Sequence, residues 1–147
     1  MNQSLENQVM REITPLSDKD CFYIGERIKT EFTYPIHHHD EYELNFIEQA
    51  AGVRRVIGDS TEVINDFDLV LITGRDLEHV WEQHECSSKR IHEITIHFSS
   101  QLFNESLLNK NQLESIHKMF EKAKNGLSFP MPAIMKVYSH LCSLSSE

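Results

Sequence analysis

The sequence has few cysteines, and none of them is spaced for a metal site or a disulfide framework. Cys21, Cys86 and Cys142 are odd in number and far apart, and no CxxC pair occurs. This pattern argues against a thiolate zinc site and a disulfide-rich secreted scaffold, and it predicts a reducing, cytoplasmic location. No apolar run approaches the ~20 residues of a membrane span, and the amino terminus has no apolar signal segment.

The sequence also lacks an excess of positive charge and the local motifs of several enzyme classes. Its 14 Lys and Arg stand against 23 Asp and Glu, and the net charge of -9 gives no general attraction to a phosphate backbone. No GxSxG, GxxxxGK[ST] or GxGxxG motif occurs, so acyl transfer, nucleotide hydrolysis and dinucleotide chemistry have no local support. Contact with DNA would have to come from another segment.

A series of short apolar segments with period two fills residues 21–98. They are rich in Ile, Val, Phe and Tyr, and turns with Gly, Asn and Asp separate them, which is typical of antiparallel strands. So many short strands favour a barrel or sandwich of about seven or eight strands over a βαβ fold. The predicted strands are CFYIGERIK, HHHDEYELNFI, VRRVI, STEVI, DLVLIT, HVWEQ and RIHEITIHF.

The pattern changes to helical spacing after Phe98. NQLESIHKMFEKAKNG has apolar residues at helical spacing and an Asn125-Gly126 stop, which predicts an amphipathic helix. PAIMKVYSHLCSLSSE predicts a second one that starts behind Pro132. We therefore expect a β domain over residues 1–100 and a helical subdomain over residues 101–147.

The apolar stripe of the first of these helices has two open uses. It is predicted to form the contact surface of a homodimer, and it would equally suit packing against the chain's own β domain. The stripe consists of Leu113, Ile116 and Phe120.

The stretch YPIHHHDEYEL, residues 34–44, holds three consecutive histidines and three carboxylates. Residues of equal parity face the same side of a strand, so one set would point into a barrel lumen. That set includes His37, His39, Glu43 and Asn45. Two imidazoles and a carboxylate suit zinc, iron or manganese, and His79 is placed to be a fourth ligand. Cavity lining without any metal is the open alternative, and no cofactor is certain from the sequence.

Two later strands supply further candidates. Trp81 shares the parity of His79 and offers a flat apolar face on which a sugar or aromatic effector could stack. Ordinary core packing would explain Trp81 equally well. Glu93, Thr95 and His97 alternate with Ile94, Ile96 and Phe98, so one face of their strand is polar and lies toward lumen or solvent.

These residues also carry a family resemblance. HHHDEYELNFIEQAAG followed by DLVLITGRDLEHVW resembles the two-part cupin motif. With the G-x-x-x-x-IGD hairpin and IHEITIHF, it resembles the N-terminal sensor domain of AraC-family transcription regulators over Phe22 to Ser99. The turn residues depart from the cupin pattern, because Phe67 replaces its glycine and Thr73 or Gly74 its proline.

The resemblance implies a mainly β fold, a cupin-like antiparallel β-barrel (jelly roll) with a C-terminal helical subdomain. It favours the lumen for Glu93 and Thr95 and carries over the cupin ligand set. That set is His37, His39, Glu43 and His79.

The function implied by the resemblance is effector sensing and homodimerisation for an AraC-type regulator, without catalysis. A small molecule, by family analogy a carbohydrate, would bind in the lumen, order the N-terminal arm and shift the helical tail. DNA would be contacted only through a helix-turn-helix segment outside this chain. The alternatives are a metal-dependent cupin enzyme of the dioxygenase or isomerase type and a stand-alone carbohydrate-binding module.

Overall fold

The computed structural model describes residues 9–146, which form ten strands and three α-helices. The strands are β1 (Met10–Arg11), β2 (Phe22–Lys29), β3 (His37–His38), β4 (Tyr42–Glu48), β5 (Arg54–Ile57), β6 (Ser60–Val63), β7 (Phe67–Ile72), β8 (His79–Glu82), β9 (Ile91–Phe98) and β10 (Leu127–Ser128). The helices are α1 (Glu105–Leu108), α2 (Glu114–Lys122) and α3 (Met131–Leu144). The predicted mainly β class with C-terminal helices is confirmed.

The strands form two five-stranded sheets. Their orders are β1-β3-β8-β5-β6 and β10-β7-β4-β9-β2. Within the described residues the pairs are antiparallel, except for β1 and β3, which run parallel. Ile57 and Trp81 of the first sheet share a buried cluster with Ile47, Val70 and Ile72 of the second, so the sheets pack face to face. Closure into a cupin jelly roll remains a prediction.

The segment predicted as one strand, HHHDEYELNFI, is two strands in different sheets. β3 pairs with β8, whereas β4 pairs with β7 and β9. The chain bends between them, and Arg75 donates to the Asp40 carboxylate at this corner, with N–O distances of 3.0 and 3.2 Å. The single-strand prediction was wrong, and the bend delivers His37 and Glu43 from opposite sheets.

The helical segment is joined to the second sheet by a short strand, β10, that lies between α2 and α3. β10 pairs with β7 and places Leu127 beside Leu71. The predicted stop is confirmed, since the 3-10 turn after α2 ends at Asn125 and Gly126 has φ +84°. A Cβ on Gly126 would lie 2.8 Å from Ile57 Cγ2, so this position requires glycine.

The helices pack their apolar faces against the second sheet. From α3, Ile134 and Leu141 are buried with Phe46, Leu69 and Ile94. No helix of the described residues combines the length and the apolar character that crossing a bilayer requires.

The apolar stripe of α2 also packs within the chain. Phe120 is 6% exposed and lies against Leu71 and Ala123, and Ile116 packs on the same cluster. Leu113 is half-buried just before the helix. The stripe therefore packs against the chain's own β domain, which was the second of its two predicted uses. Dimerisation through Leu113, Ile116 and Phe120 remains a prediction.

Candidate functional site

A buried cluster of three histidines and one glutamate lies between the sheets. His37 and His39 come from β3 and the bend after it, His79 begins β8, and Glu43 comes from β4 of the other sheet. All four side chains are buried, and their ligand atoms lie within 4.8 Å of one another. The fold thus brings together the four residues predicted as a set.

Each histidine of the cluster is held by a backbone carbonyl at Nδ1. The bonds run from His37 to Pro35 (2.8 Å), from His39 to Glu41 (2.9 Å) and from His79 to Leu77 (2.8 Å). A carbonyl oxygen only accepts, so Nδ1 carries a proton in every ring and Nε2 faces the cluster. Metal-ligating histidines are oriented in this way by a bond at the other ring nitrogen.

Glu43 supplies the negative charge at the centre of the cluster. Its Oε1 lies 2.9 Å from His39 Nε2 and 2.8 Å from His97 Nε2. Burial opposes ionisation, but the hydrogen bonds from His39 and His97 and the nearby His79 hold the pKa of Glu43 well below its usual value. The carboxylate is therefore in the form that binds a metal.

The imidazoles of the cluster differ in charge. His39 donates from both ring nitrogens, to Glu41 and to Glu43, which requires a protonated ring. Burial opposes this charge, but the bond to Glu43 raises the pKa of His39. Burial, together with the neighbouring His79, lowers the pKa of His37, which keeps that ring neutral. A divalent ion would take the place of the proton on His39 Nε2.

His79 provides a test of whether a metal fits this cluster. Its side chain is 1% exposed, and Nε2 has no hydrogen-bond partner among the described residues. The nearest carboxylate oxygen, Glu43 Oε1, lies 3.7 Å away, which is too far for a hydrogen bond. An unpaired buried acceptor costs about 1–3 kcal/mol, and a ligand would remove that cost. The donor set fits zinc, iron or manganese.

A cavity of about 190 Å³ opens beside the cluster and reaches the polar face of β9. Eight residues were predicted to line the lumen, and six of them line this cavity: His37, Glu43, Asn45, Trp81, Glu93 and Thr95. The other two, His39 and His79, are buried in the histidine cluster and do not line it. Trp81 is both cavity wall and core residue, being 6% exposed.

The cavity is lined by both hydrogen-bond donors and hydrogen-bond acceptors. Asn45 Nδ2 donates to Thr95 Oγ1 at 2.9 Å and to Glu93 Oε2 at 3.3 Å. Asn45 Oδ1 is buried and has no partner among the described residues. Lys29 Nζ lies 2.8 Å from Glu93 Oε1. A ligand here would meet a free acceptor, a hydroxyl and an ion pair.

Three residues of the site lie outside the set that was predicted from the sequence. His97 shares the parity of Glu93 and Thr95 on β9, and that parity was the signal that could have found it. Glu12 and Tyr34 also line the cavity, but they lie outside regular strand patterns, and no spacing in the sequence points to them.

Comparisons with known proteins give a likeness of fold. Neither a protein-family model nor a curated protein matches the sequence. An apo structure of a ToxT variant from Vibrio cholerae shares the fold with a TM-score of 0.50 and 11% identity, covering 87% of this chain and 49% of that one. ToxT bound to (E)-4-(8-methylnaphthalen-1-yl)but-3-enoic acid matches with a TM-score of 0.49 and 13% identity over 84% of this chain and 48% of that one.

A further ToxT structure, at 1.65 Å resolution, matches with a TM-score of 0.49 and 13% identity over 83% of this chain and 48% of its own. The chain therefore spans about half the length of the ToxT chains that it matches. At such identities the likeness shows the fold alone.

Proposed function

We propose that this chain is the effector-sensing domain of an AraC-type transcription regulator and that it holds a divalent metal ion between its sheets. ToxT, whose fold it shares, is an AraC-family regulator. The observation that carries the proposal is the cavity of about 190 Å³ that adjoins the buried histidine cluster. A small molecule in this cavity would contact strands of both sheets.

The cavity lining favours a compact, hydroxyl-bearing effector such as a carbohydrate. Asn45 Oδ1 would accept a hydrogen bond from a hydroxyl, and Thr95 and the Lys29–Glu93 pair would add further polar contacts. Trp81 contributes an apolar wall of the kind on which sugar rings stack. When bound, the metal would be held by the Nε2 atoms of His37, His39 and His79 and by Glu43, and would polarise an effector oxygen.

A series of side-chain hydrogen bonds links β9, which lines the cavity, to α3. His92 lies on β9 next to Glu93, and its Nδ1 is 3.0 Å from Glu48 Oε2. Tyr138 of α3 donates to the same Glu48 oxygen at 2.9 Å. An effector that prefers one position of β9 would thereby favour one pose of α3. Dimerisation and DNA contact through a segment outside this chain belong to the same proposal.

Elemental analysis tests the metal. The purified, untagged chain, equilibrated with zinc, manganese or iron(II) and then desalted, should carry one ion per chain. His39→Ala should lose it, while His140→Ala, at an exposed position of α3, should retain it. Metal far below one ion per chain for all three ions would remove the metal from the proposal and leave the histidines as cavity lining.

Tryptophan fluorescence tests the effector site. Trp81 is the single tryptophan of the chain and lines the cavity, so its emission reports cavity filling. Titration with monosaccharides and polyols should give a saturable change that Thr95→Val weakens and the exposed control Thr61→Val leaves intact. A change that Thr95→Val does not affect would place the binding elsewhere.

The complete donor set also favours a second candidate, a metal-dependent cupin enzyme. It predicts turnover of a bound small molecule by the metal-loaded chain, lost in His39→Ala. A ligand that binds and is recovered unchanged would favour the sensor.

A further inference from the structure

The N-terminal strand brings a second carboxylate to the histidine cluster. Glu12 directly follows β1, and its Oε2 lies 3.8 Å from His37 Nε2 and 4.0 Å from His39 Nε2. Glu12, His39 and His97 form a second group of ligand atoms that lie within 4.8 Å of one another. Ligand atoms at about 2.1 Å from one ion stand roughly 3–4 Å apart, so the distances from Glu12 Oε2 to His37 and His39 suit a shared ion. Glu12 meets the four-residue group through these two histidines and is not itself one of that group.

The Glu12 carboxylate is held in this position by a side-chain contact. Tyr34 OH donates to Glu12 Oε1 at 3.1 Å, which leaves Oε2 toward the cluster. Such outer contacts orient ligating carboxylates.

The backbone of the same segment is fixed to the strand that carries His37. Met10 N donates to Ile36 O at 3.0 Å, and Glu12 N donates to His38 O at 2.8 Å. These bonds form the parallel pairing of β1 with β3. Any movement of β1 away from β3 would therefore carry the Glu12 carboxylate away from the cluster.

Charge balance gives a reason for a second carboxylate. With neutral imidazoles, a divalent ion and Glu43 would leave one net positive charge in a buried site. Uncompensated buried charge is strongly unfavourable, and a second carboxylate brings the sum to zero. Glu12 also lines the cavity, so it would complete this balance next to the place where an effector would bind.

We propose that Glu12 is an additional ligand of the ion that the proposed function places at His37, His39, Glu43 and His79. Occupancy of the site would then hold β1 against β3. An effector that takes the Glu12 position on the ion would release β1. This inference rests on the metal of the proposed function.

The test measures Zn²⁺ alone, by chelator competition on the whole chain. Glu12→Gln should weaken Zn²⁺ affinity by at least about tenfold, and Tyr34→Phe should weaken it by less. Glu31→Gln, at an exposed position of the same N-terminal region, should leave it unchanged. Hydrogen exchange gives a second readout, since Zn²⁺ should slow exchange of the Met10 and Glu12 amides in the wild type but not in Glu12→Gln.

The outcomes separate this inference from the proposed function. Wild-type Zn²⁺ binding with equal affinity and equal β1 protection in Glu12→Gln would overturn the role of Glu12 and leave the four-residue site standing. Failure of the wild type to bind Zn²⁺, Mn²⁺ or Fe²⁺ would overturn the metal itself and this inference with it. Circular dichroism of each variant confirms that the fold is retained.

Discussion

His97 Nε2 lies 2.8 Å from Glu43 Oε1, and the two residues are directly paired across β9 and β4. Glu43 accepts from His39 with the same oxygen, so His39 and His97 together hold this carboxylate oxygen. His97 lies outside the ligand set predicted from sequence, and we expect its contact to position the Glu43 carboxylate.

His97→Phe should therefore weaken metal binding while keeping a ring of similar size in place. Loss of a contact that orients a ligand typically lowers metal affinity about 10–100-fold. Chelator competition with Zn²⁺ measures the change. His117→Phe, at a partly exposed position of α2, should bind as the wild type does, and equal affinities in the two variants would show that Glu43 needs no support from His97.

Asp68→Ala should destabilise the fold through its ion pair with Arg55. Both side chains are largely buried, with exposed fractions of 10% and 8%. Removing Asp68 leaves the buried Arg55 charge with Glu62 as its remaining carboxylate partner among the described residues, and that side chain is 62% exposed. The cost should therefore approach that of a broken buried pair, about 3–5 kcal/mol. Urea unfolding followed by Trp81 fluorescence measures the loss, and the exposed Asp18→Ala serves as control. A loss of unfolding free energy below about 1 kcal/mol would contradict this prediction, because exposed surface salt bridges contribute that little.

Stability should fall on strong alkalinisation because of Tyr138. Its hydrogen bond to Glu48 raises the pKa of Tyr138 to about 12, whereas an unfolded tyrosine ionises near pH 10. The folded chain thus retains a proton that the unfolded chain loses, and the contribution of Tyr138 is full below about pH 10 and lost toward pH 12. Tyr138→Phe should flatten the fall in unfolding free energy above about pH 10, measured by urea unfolding at a series of pH values. An unchanged slope in Tyr138→Phe would contradict this assignment.

Gly126→Ala should destabilise the junction between α2 and β10. The φ of Gly126 is +84°, and a Cβ there would lie 2.8 Å from Ile57 Cγ2. The strain of this backbone conformation alone is about 1–3 kcal/mol. Gly25→Ala is the matched control, because its nearest neighbour to a Cβ is Tyr23 Cε1 at 3.9 Å. Equal unfolding free energies for the two variants, measured in urea, would show that the junction relaxes without cost.

The site combines features that local patterns reveal with features that they do not. Parity along a strand correctly placed Glu43 and Asn45 on one face of β4, and Glu93 and Thr95 on one face of β9. His37 and His39 join Glu43 for a different reason, because the chain bends between β3 and β4 and changes sheets. The prediction thus named the right residues for the wrong reason. It assumed one continuous strand, whereas a bend between two strands brings the residues together.

The sequence by itself determined the class of fold and most of its elements. Period-two alternation and Gly, Asn and Asp turns locate the predicted strand segments, one of which, HHHDEYELNFI, covers two strands. Helical spacing with Asn125-Gly126 defines α2 and its end. These signals are local, since each depends on residues a few positions apart. The tertiary structure alone decided the change of sheet after His39, the approach of Glu12 and Tyr34 to the histidines, and the packing of Phe120 onto the chain's own sheet. Such contacts join residues far apart in the chain, and they arise from the packing of two sheets and a helix around a shared interior, which no short window of sequence records.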